Sequence, residues 1–376
     1  MDPADGPRPA LRVLVCTIVH NPHDTRILHR QIRSMLDAGY AVTYAAPFSA
    51  CGATPWPELT AVDLPRAVGR NRLGALRAAR GVLRRYGRDA DVVILHDPEL
   101  LLALPGLSLP GAVVWDVHED TGAALVAKPW LPSVLRPIAG AGVRAAERLA
   151  ERSLRLMLAD AGYRERFGQA HPVVPNTTFV PEAVVPSGDS RVVYIGHLAK
   201  ARGVATIVET ARKLAGSGIS VDVVGAGDGF ARDALSAAAA EGVLNWHGFV
   251  PFDQAMRLLD GSLAGLALLR DMPNFRPSTP TKVIEYMAHG VPVISTPLPL
   301  AKALVEQHGC GILAPFDDPV ATADAILRLR DHAEERAEMG RRGHEAAREL
   351  YHWPNAARAF LDTLEGWAAE AAAQRR

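Results

Sequence analysis

The chain has 376 residues, 48% of them hydrophobic and 22% charged, and its formal net charge is zero. The length exceeds the size at which a single hydrophobic core stops growing, so we expect two domains. This composition excludes disordered and fibrous proteins and is typical of a globular protein.

The distribution of charge and cysteine excludes further classes. Residues 1–180 hold 21 Lys and Arg against 17 Asp and Glu, and residues 181–376 hold 20 against 24. This asymmetry is too small to indicate nucleic acid as a partner. The three cysteines, Cys16, Cys51 and Cys310, lie far apart, which indicates neither a disulfide framework nor a zinc site and fits a reducing cytoplasm. No apolar run approaches the roughly 20 residues of a membrane helix, and the acidic, proline-rich start is not that of a signal peptide.

The first half of the chain consists of repeated strand, loop and helix patterns. Continuous β-branched runs predict strands at 11–19, 41–45, 91–95 and 112–117. Helical spacing predicts helices at 27–36, within 66–88, near 97–105, at 133–153 and at 160–168. The alternation predicts a parallel sheet covered by helices.

A proline-rich segment at 171–190 predicts an interdomain linker, after which the same rhythm returns. Strands are predicted at 191–195, 220–224, 245–250, 263–269 and 291–295, with helices between them. A final helix from Trp353 carries apolar residues that could pack back across both domains. We therefore expect an N-terminal domain at 1–180, a C-terminal domain at 181–352 and a crossing helix at 353–376, each domain being Rossmann-like.

Residues 278–294 (STPTKVIEYMAHGVPVI) predict a loop, a short helix, a turn and a strand. Pro280 suits the first helical position, Thr279 can cap the helix, and Gly290 can end it. Lys282 falls in the first turn, where free N–H groups favour a phosphate, and Glu285 lies on the same face, where its oxygens could accept from a ribose diol. The alternative is an ordinary helix whose Lys and Glu form a solvated pair.

Two glycine-rich loops follow predicted strands. Gly225–Gly229 lacks the G-x-G-x-x-G spacing and is more typical of a tight turn than of a dinucleotide site. Gly196–Gly203 places Lys200 and Arg202 at the same sheet edge as Lys282, so Arg202 is expected to face the same phosphates. Ordinary exposed cations would give the same pattern.

Histidines collect at the ends of the predicted strands of the first half. His20 and His23 follow the first strand, His96 follows the third and His118 follows the fourth. Such a group suits recognition of sugar hydroxyls or metal binding, and metal is disfavoured because no pair has the i,i+4 helical spacing. An arginine run without acids at 66–88 indicates either a solvated helix face or a basic helix that lies on anionic lipid.

Together these residues resemble a known family, the retaining nucleotide-sugar glycosyltransferases of the GT-B fold, family 4. The likeness runs almost end to end and rests on the segments HNPHDTRILHRQ, ILHDPELL, WDVHED, VPN, YIGHLAKARG, VGAGDG and STPTKVIEYMAHGVPVIST. The resemblance implies an α/β protein of two Rossmann-like domains that face each other across a cleft, with the C-terminal helix packing back across. The nucleotide sugar would bind mainly to the C-terminal domain, and the acceptor would enter from the N-terminal side.

The resemblance also implies roles for individual residues. The catalytic group it implies is His96, His118, Arg202 and Lys282. The implied donor-binding group is Gly196, His197, Arg202, Gly227, Val250, Thr279, Lys282, Val283 and Glu285. The implied acceptor-binding group is His20, His23, Asp24, Arg26, Asp97 and Glu119. No metal or other cofactor is expected, because Arg202, Lys282 and a helix N-terminus can stabilise a departing nucleoside diphosphate.

Two positions depart from the family pattern. Many members have two glutamates separated by seven residues, whereas the position eight before Glu285 is Pro277. Asp271 or backbone amides near 276–279 are then the candidates for contact with the donor sugar. A second basic residue often follows the glycine at position 196, and here it is His197, which could make phosphate affinity depend on pH.

The sequence therefore predicts a retaining, metal-independent hexosyltransferase that moves a sugar from a nucleoside-diphosphate sugar, with UDP favoured, to a hydroxyl acceptor. The acceptor would be a small molecule or lipid-linked. The predicted location is cytoplasmic, with peripheral contact at the inner face of the membrane through 66–88 left open. Two alternatives remain: a nucleotide-sugar epimerase or phosphorylase of the same fold, and a non-catalytic, membrane-docked binder of sugar nucleotides.

Overall fold

The computed structural model of the protein describes residues 10–118, 120, 122 and 132–375. The chain forms two compact units, Met1–Pro175 with Pro354–Arg376, and Asn176–Trp353. These divisions fall at 175/176 and 353/354, where the sequence had suggested 180/181 and 352/353. No described helix combines the length and apolar character that crossing a membrane would demand.

The first unit is built on a six-stranded parallel sheet. Its strands are β1 (Arg12–Cys16), β2 (Ala41–Ala46), β3 (Thr60–Asp63), β4 (Val92–Leu95), β5 (Ala112–Val117) and β6 (Arg155–Leu158), in the spatial order β3-β2-β1-β4-β5-β6. The strand order reverses between β1 and β4. In open α/β sheets this reversal opens a crevice at the carboxyl ends of the strands, where ligands bind.

Three of the helices predicted for the first unit are wholly or partly π-helical or 3-10 helical, and the others are α-helices. The predicted helix at 27–36 is a π-helix, Thr25–Ile32, that continues into α1 (Arg33–Asp37). α2 (Phe48–Cys51), α3 (Arg72–Tyr86) and α4 (Arg136–Ser153) follow, and α12 (Trp353–Gln374) closes the chain. The short helices predicted near 97–105 and 160–168 are 3-10 helices, Pro98–Ala103 and Ala161–Arg166.

The second unit repeats the plan. Its strands are β7 (Arg191–Ile195), β8 (Ser220–Val224), β9 (Asn245–Gly248), β10 (Ala264–Ala267), β11 (Val293–Ser295) and β12 (Gly311–Leu313), in the order β12-β11-β10-β7-β8-β9. The helices are α5 (Val204–Leu214), α6 (Gly229–Ala240), α7 (Phe252–Arg257), α8 (Thr281–Ala288), α9 (Pro299–His308), α10 (Pro319–Asp331) and α11 (Ala333–Leu350). The predicted α/β architecture of two Rossmann-like parallel sheets is thus confirmed, and strand order reverses here between β7 and β10.

The central strands are continuous apolar runs, as expected for parallel sheets covered by helices, whereas the edge strands β3 and β9 are partly polar and exposed. β4 and β10 are buried along their whole length. The C-terminal helix belongs to the first unit: Phe360 and Leu364 are fully buried, the hydroxyl of Tyr40 donates to Glu365 at 2.5 Å, and Arg155 pairs with Glu370.

Candidate functional site

In the second unit, Tyr286 of α8 fills the point where strand order reverses. Its hydroxyl accepts a hydrogen bond from the N–H of Ile195 in β7 and donates one to the carbonyl of Leu266 in β10, both at 3.1 Å. The tyrosine hydroxyl therefore bridges backbone groups of β7 and β10 that do not bond each other directly. Gly265 makes room for the ring, since a Cβ there would lie 2.4 Å from Tyr286 Cδ2. The start of α8 is held at the carboxyl edge of the sheet as a result.

Lys282 lies in the first turn of α8, as predicted, although the helix begins differently. The prediction that Pro280 takes the first helical position and Thr279 caps the helix is wrong. Pro280 is itself the N-cap, in an extended conformation with ψ of 107°, and its side chain makes no capping hydrogen bond. The N–H of Val283 donates to the carbonyl of Pro280 at 3.0 Å. Gly290 ends the turn after the helix with the predicted left-handed conformation, at φ of 65°.

The ammonium group of Lys282 packs against the glycine loop that follows β7. Its Nζ lies 5.1 Å from the ring centroid of Tyr194, and a Cβ on Gly196 would come within 2.5 Å of it. Burial, and next the positive charge of Arg202, lower the pKa of Lys282 to about 7, while Glu285 acts in the opposite direction. A lysine in this state gains its charge most easily when an anion arrives.

Arg202 ends a 3-10 helix, Lys200–Arg202, at the same edge. Gly203 then turns the chain with φ of +79°, and a Cβ there would lie 2.0 Å from the carbonyl oxygen of Leu268. The guanidinium lies 5.9 Å from the ring centroid of Phe275. Burial and the charge of Arg202 lower the pKa of His197, so this residue is a neutral ring beside two cations at neutral pH.

The loop after β8 packs on the loop after β7. The N–H of Leu198 donates to Ala226, and a Cβ on Gly225 would lie 2.0 Å from the carbonyl oxygen of Gly196. Trp246 holds the carbonyl of Gly225, and Asp228 caps α6 by accepting from the N–H of Ala231. Gly196 and Gly225 therefore allow close approach of two loops, whereas the sequence had favoured a tight turn for Gly225–Gly229.

The structure thus brings Gly196, His197, Arg202 and Lys282 to one edge, with Gly227 in the adjoining loop. The other predicted donor residues differ in their exposure. Glu285 is buried one turn along α8, and the side chain of Val283 is fully buried in the core. Val250 is partly buried against the same core and Thr279 is half-buried. Any contact of Val283 or Val250 with a ligand would involve the backbone, because their side chains pack inward.

In the first unit, Asp116 is the centre of a buried network that the sequence did not reveal. Arg26 donates to both of its carboxylate oxygens at 2.8 and 2.7 Å, and Gln31 donates to Oδ2 at 2.9 Å. Arg26 and Gln31 are five residues apart, and the i,i+5 spacing of the π-helix puts both on one face. Although burial raises it, the Arg26 guanidinium holds the pKa of Asp116 well below its usual range.

His96 is buried beside this carboxylate. Its Nδ1 lies 3.2 Å from Oδ2 of Asp116 but outside hydrogen-bond geometry, and neither ring nitrogen has a hydrogen-bond partner within the described part of the chain. His96 follows β4 and therefore lies where strand order reverses. A buried imidazole with an unpaired nitrogen at this position is a candidate for ligand contact.

His20 and His118 form a hydrogen-bonded pair. Nδ1 of His20 lies 2.6 Å from Oδ1 of Asp97, Nδ1 of His118 lies 3.1 Å from the carbonyl of Asp116, and the two Nε2 atoms are 2.9 Å apart. A carbonyl or an ionised carboxylate only accepts, so both Nδ1 atoms carry hydrogen and a further proton must lie between the Nε2 atoms. Burial, and next the positive charge of His20, lower the pKa of His118 to about 4.

Asp97 is the reason that His20 holds this position. The carboxylate also accepts from the hydroxyl of Thr17 and from the N–H groups of Ile18 and Val19. Burial raises the pKa of Asp97, but His20 and these donors bring it below its ordinary value. The predicted acceptor residues Asp97 and Arg26 are therefore buried, and they hold His20 and Asp116 in place.

A cavity of about 20 Å³ is lined by His20, His96, His118, Asp116, Pro98, Trp115 and Val117. It has room for about one water molecule. His96, Asp116 and His118 also offer potential metal-ligand atoms within 4.8 Å of one another. The i,i+4 spacing of a helix does not reveal this group, because its residues come from the ends of two strands. Arg26 already neutralises Asp116, which disfavours a divalent cation there.

The remaining predicted acceptor residues lie around this edge. Asp24 caps the π-helix by accepting from the N–H groups of Arg26 and Ile27. His23 is half-buried, with its ring centroid 6.4 Å from that of His29. Glu119 lies outside the described residues. An acid inside the apolar run of β5 was the sequence signal for Asp116, and Tyr286 had no comparable signal because a tyrosine in a short helix is ordinary.

Comparison with known proteins relates this arrangement to glycosyl transfer. Residues 189–332, within the second unit, match the family model described as glycosyl transferases group 1. A search of curated proteins gave no match. The family match supports an activity in glycosyl transfer.

Solved structures show the same fold. Sucrose-phosphate synthase from Thermosynechococcus elongatus is 16% identical, with 96% of this chain and 99% of that chain covered and a TM-score of 0.73. The Anabaena protein HepE in complex with UDP and glucose is 13% identical, with 94% and 99% covered and a TM-score of 0.69. WaaG, a glycosyltransferase involved in lipopolysaccharide biosynthesis, is 13% identical, with 94% and 99% covered and a TM-score of 0.68. The chain therefore has the same GT-B fold as these structures.

Proposed function

We propose that the protein is a retaining, metal-independent glycosyltransferase that moves a sugar from a nucleoside-diphosphate sugar to a hydroxyl acceptor. The observation that carries the proposal is the pair of cations, Arg202 and Lys282, at the open edge where strand order reverses in the second unit. Arg202 lowers the pKa of Lys282 and Glu285 raises it, so a bound diphosphate would relieve the repulsion between the two basic side chains.

The chemistry follows from where charge develops. The bond between the anomeric carbon and the β-phosphate oxygen breaks, a new bond forms to the acceptor oxygen, and the hydroxyl proton passes to the departing diphosphate. Arg202, Lys282 and the N-terminus of α8 stabilise the negative charge on that diphosphate. Glu285, one turn along α8, is the proposed ribose contact.

The structure distinguishes between the two candidates for contact with the donor sugar, which are Asp271 and the backbone amides near 276–279. Asp271 was one candidate for the acid that is missing at Pro277. Its two carboxylate oxygens both accept from Arg276 at 2.7 Å, so the side chain is already paired. We therefore favour the backbone amides near 276–279 for this contact.

UDP is the proposed nucleotide, because one structural neighbour was solved with UDP and glucose. The proposed acceptor group is a hydroxyl of a small molecule or a lipid-linked sugar, received at the carboxyl edge of the first unit by His96 and the His20–His118 pair. No metal is assigned to the donor phosphates.

The test compares donor turnover by wild type with that by Lys282→Ala and Arg202→Ala. Each variant should lose roughly 100-fold or more in kcat, the usual cost of removing one donor to a developing negative charge. Lys302→Ala and Arg328→Ala are matched controls, because both side chains are exposed and pair only with neighbouring glutamates. Full activity in either site variant, with unchanged melting temperatures, would refute the site.

Thermal shift with UDP, GDP and ADP identifies the base, since ligand at 100 times its Kd stabilises by about 2.7 kcal/mol. Formation of an epimer from donor and enzyme alone would instead favour an epimerase. A thermal shift without turnover across candidate acceptors would favour a binding protein.

A further inference from the structure

Three helices of the first unit lie on one face of its sheet. The register pairs Leu95 with Trp115 and Trp115 with Leu156, so these side chains point to the same side. The inner residues of α3 pack with Leu95, and Ala150 of α4 packs with Trp115 and Leu156. Leu101 of the 3-10 helix Pro98–Ala103 packs against both groups. We call this group of helices the helical layer. It consists of α3, this 3-10 helix and α4, together with residues 66–71 and 133–135, which lead into the two α-helices.

The outer side of the helical layer is basic. Its exposed arginines recur at helical spacing in both long helices: Arg70, Arg77, Arg84, Arg85 and Arg88 in or beside α3, and Arg144, Arg148 and Arg152 in α4. The sequence had indicated only the run at 66–88. The stripe at 144, 148 and 152 extends the positive charge to the second helix of the layer.

The acids of the layer do not offset this charge. Glu147 is buried against Arg166, and Glu151 is buried against His171 and the N–H groups of Gly168 and Gln169. Glu99 pairs with Arg72 at 2.9 Å. Asp89 is the exposed acid that remains between residues 66 and 102.

Large apolar side chains stand among these arginines. Leu73, Ile138 and Leu149 are 68%, 70% and 66% exposed, and Val68, Leu102 and Val134 are exposed to a similar degree. They are spread over all three helices and do not form a groove. Single apolar side chains among cations suit insertion between lipid headgroups, where the cations meet anionic lipid and the apolar groups reach the acyl boundary.

We propose that the helical layer is a docking surface for an anionic lipid bilayer. Arginine supplies attraction to the headgroups, and Leu73, Leu102, Ile138 and Leu149 supply shallow insertion. Because the layer consists of surface helices, docking is peripheral and salt-dependent. This inference does not depend on the transfer reaction, since it concerns binding alone.

The experiment is co-sedimentation of the full chain with vesicles of phosphatidylcholine alone or with 30% phosphatidylglycerol, at about 0.15 M salt. We expect binding to the anionic vesicles and little to the neutral ones. Arg84→Glu/Arg148→Glu should lower the bound fraction at least fivefold. Arg232→Glu/Arg257→Glu, an equal charge change at exposed positions of the second unit, should change it less than twofold.

The apolar contribution is tested by Ile138→Ser/Leu149→Ser, which should abolish the binding that survives at about 0.5 M salt. Circular dichroism and thermal melts establish that each variant is folded, and Arg84→Gln/Arg148→Gln serves if the charge reversal unfolds the chain. Absence of binding to anionic vesicles, equal loss in both arginine pairs, or binding of a 20-nucleotide RNA in place of vesicles would overturn the proposal.

Discussion

At the scale of the residue, the state of Lys282 decides how the donor site responds to pH. Its pKa is about 7 in the free protein, against 10.5 ordinarily, because it is buried and faces Arg202. Only the ammonium form attracts a diphosphate, and binding must raise this pKa. The contribution of Lys282 to the affinity for UDP should therefore level off as the pH falls below 7, and the affinity should fall by up to tenfold per pH unit above pH 7, until the pKa of the complex is reached.

Isothermal titration of UDP between pH 7.5 and 9, where the phosphates are fully ionised, measures this fall. Buffers of different ionisation enthalpy should reveal uptake of up to one proton per UDP at pH 8. Lys282→Arg is the control, because a guanidinium stays charged, and its affinity should be flat over this range. A flat profile in the wild type would contradict the assigned state.

His20 offers a second prediction at this scale. His20→Asn removes the positive ring that lies 2.9 Å from His118, so the pKa of His118 should rise from about 4 toward its ordinary value of 6.5. Nitrogen NMR of the histidine rings gives both the pKa and the tautomer, which should be Nδ1–H for His118 in the wild type. His332→Asn, an exposed histidine of the second unit, should leave His118 unchanged. A proton on Nε2 of His118 at neutral pH would contradict the pairing.

The sequence predicted the location of candidate residues that stand directly beside a turn at the end of a strand, and their roles stay predictions. Lys282 and Arg202 could be predicted because each stands beside a turn at the end of a strand, where phosphate binding is common. The contacts of Asp116 and Tyr286 could not be predicted, even though an acid inside the run of β5 is unusual, since they join residues 85 to 91 positions apart, such as Gln31 and Ile195. Arg26 and Asp97 were predicted as acceptor contacts from their place in the motif, but their partners direct them inward.

At the scale of the element, strands bounded by clear turn residues were predicted well, and short ones were missed. β7 and β8 agree with the prediction to the residue. β3, β6 and β12 are short strands at sheet edges, and none of them has the continuous β-branched run that indicated the equally short β4. The π-helix could not be predicted from apolar spacing. Its i,i+5 geometry is favoured because Arg26 and Gln31 both donate hydrogen bonds to Asp116.

The hydrogen bonds by which Tyr286 attaches α8 to β7 and β10 lead to a prediction about stability. Tyr286→Phe leaves a buried N–H and a buried carbonyl without their partner, so we expect a loss of roughly 1–3 kcal/mol in the free energy of unfolding. Gly265→Ala should destabilise as well, because its Cβ would meet the ring at 2.4 Å. Gly229→Ala, where a Cβ meets nothing within 4 Å, should be neutral. Urea unfolding compares the three, and equal stability of all of them would rule out this attachment.

At the scale of the whole molecule, the chain leaves its first unit at Pro175 and returns to it with α12. The sequence predicted this last helix, and its apolar residues proved to be core residues of the first unit, Phe360 and Leu364 being fully buried. The helical layer, which is the proposed membrane-docking surface, belongs to the same unit. Its stability therefore depends on a segment separated from the rest of that unit by 178 residues, Asn176–Trp353.

Truncation tests this dependence. A chain that ends at Trp353 should expose apolar surface of the first unit, and its amides in β2 and β6 should exchange faster with solvent, because Tyr40 and Arg155 lose Glu365 and Glu370. Phe360→Ala alone should cost about 3–5 kcal/mol, the usual cost of removing a buried phenyl ring. Gly366→Ala, with open space around its Cβ on the same helix, should stabilise by up to about 1 kcal/mol. Hydrogen exchange resolved by segment measures these effects. Unchanged exchange in β2 and β6 after truncation would show that the first unit folds without the helix.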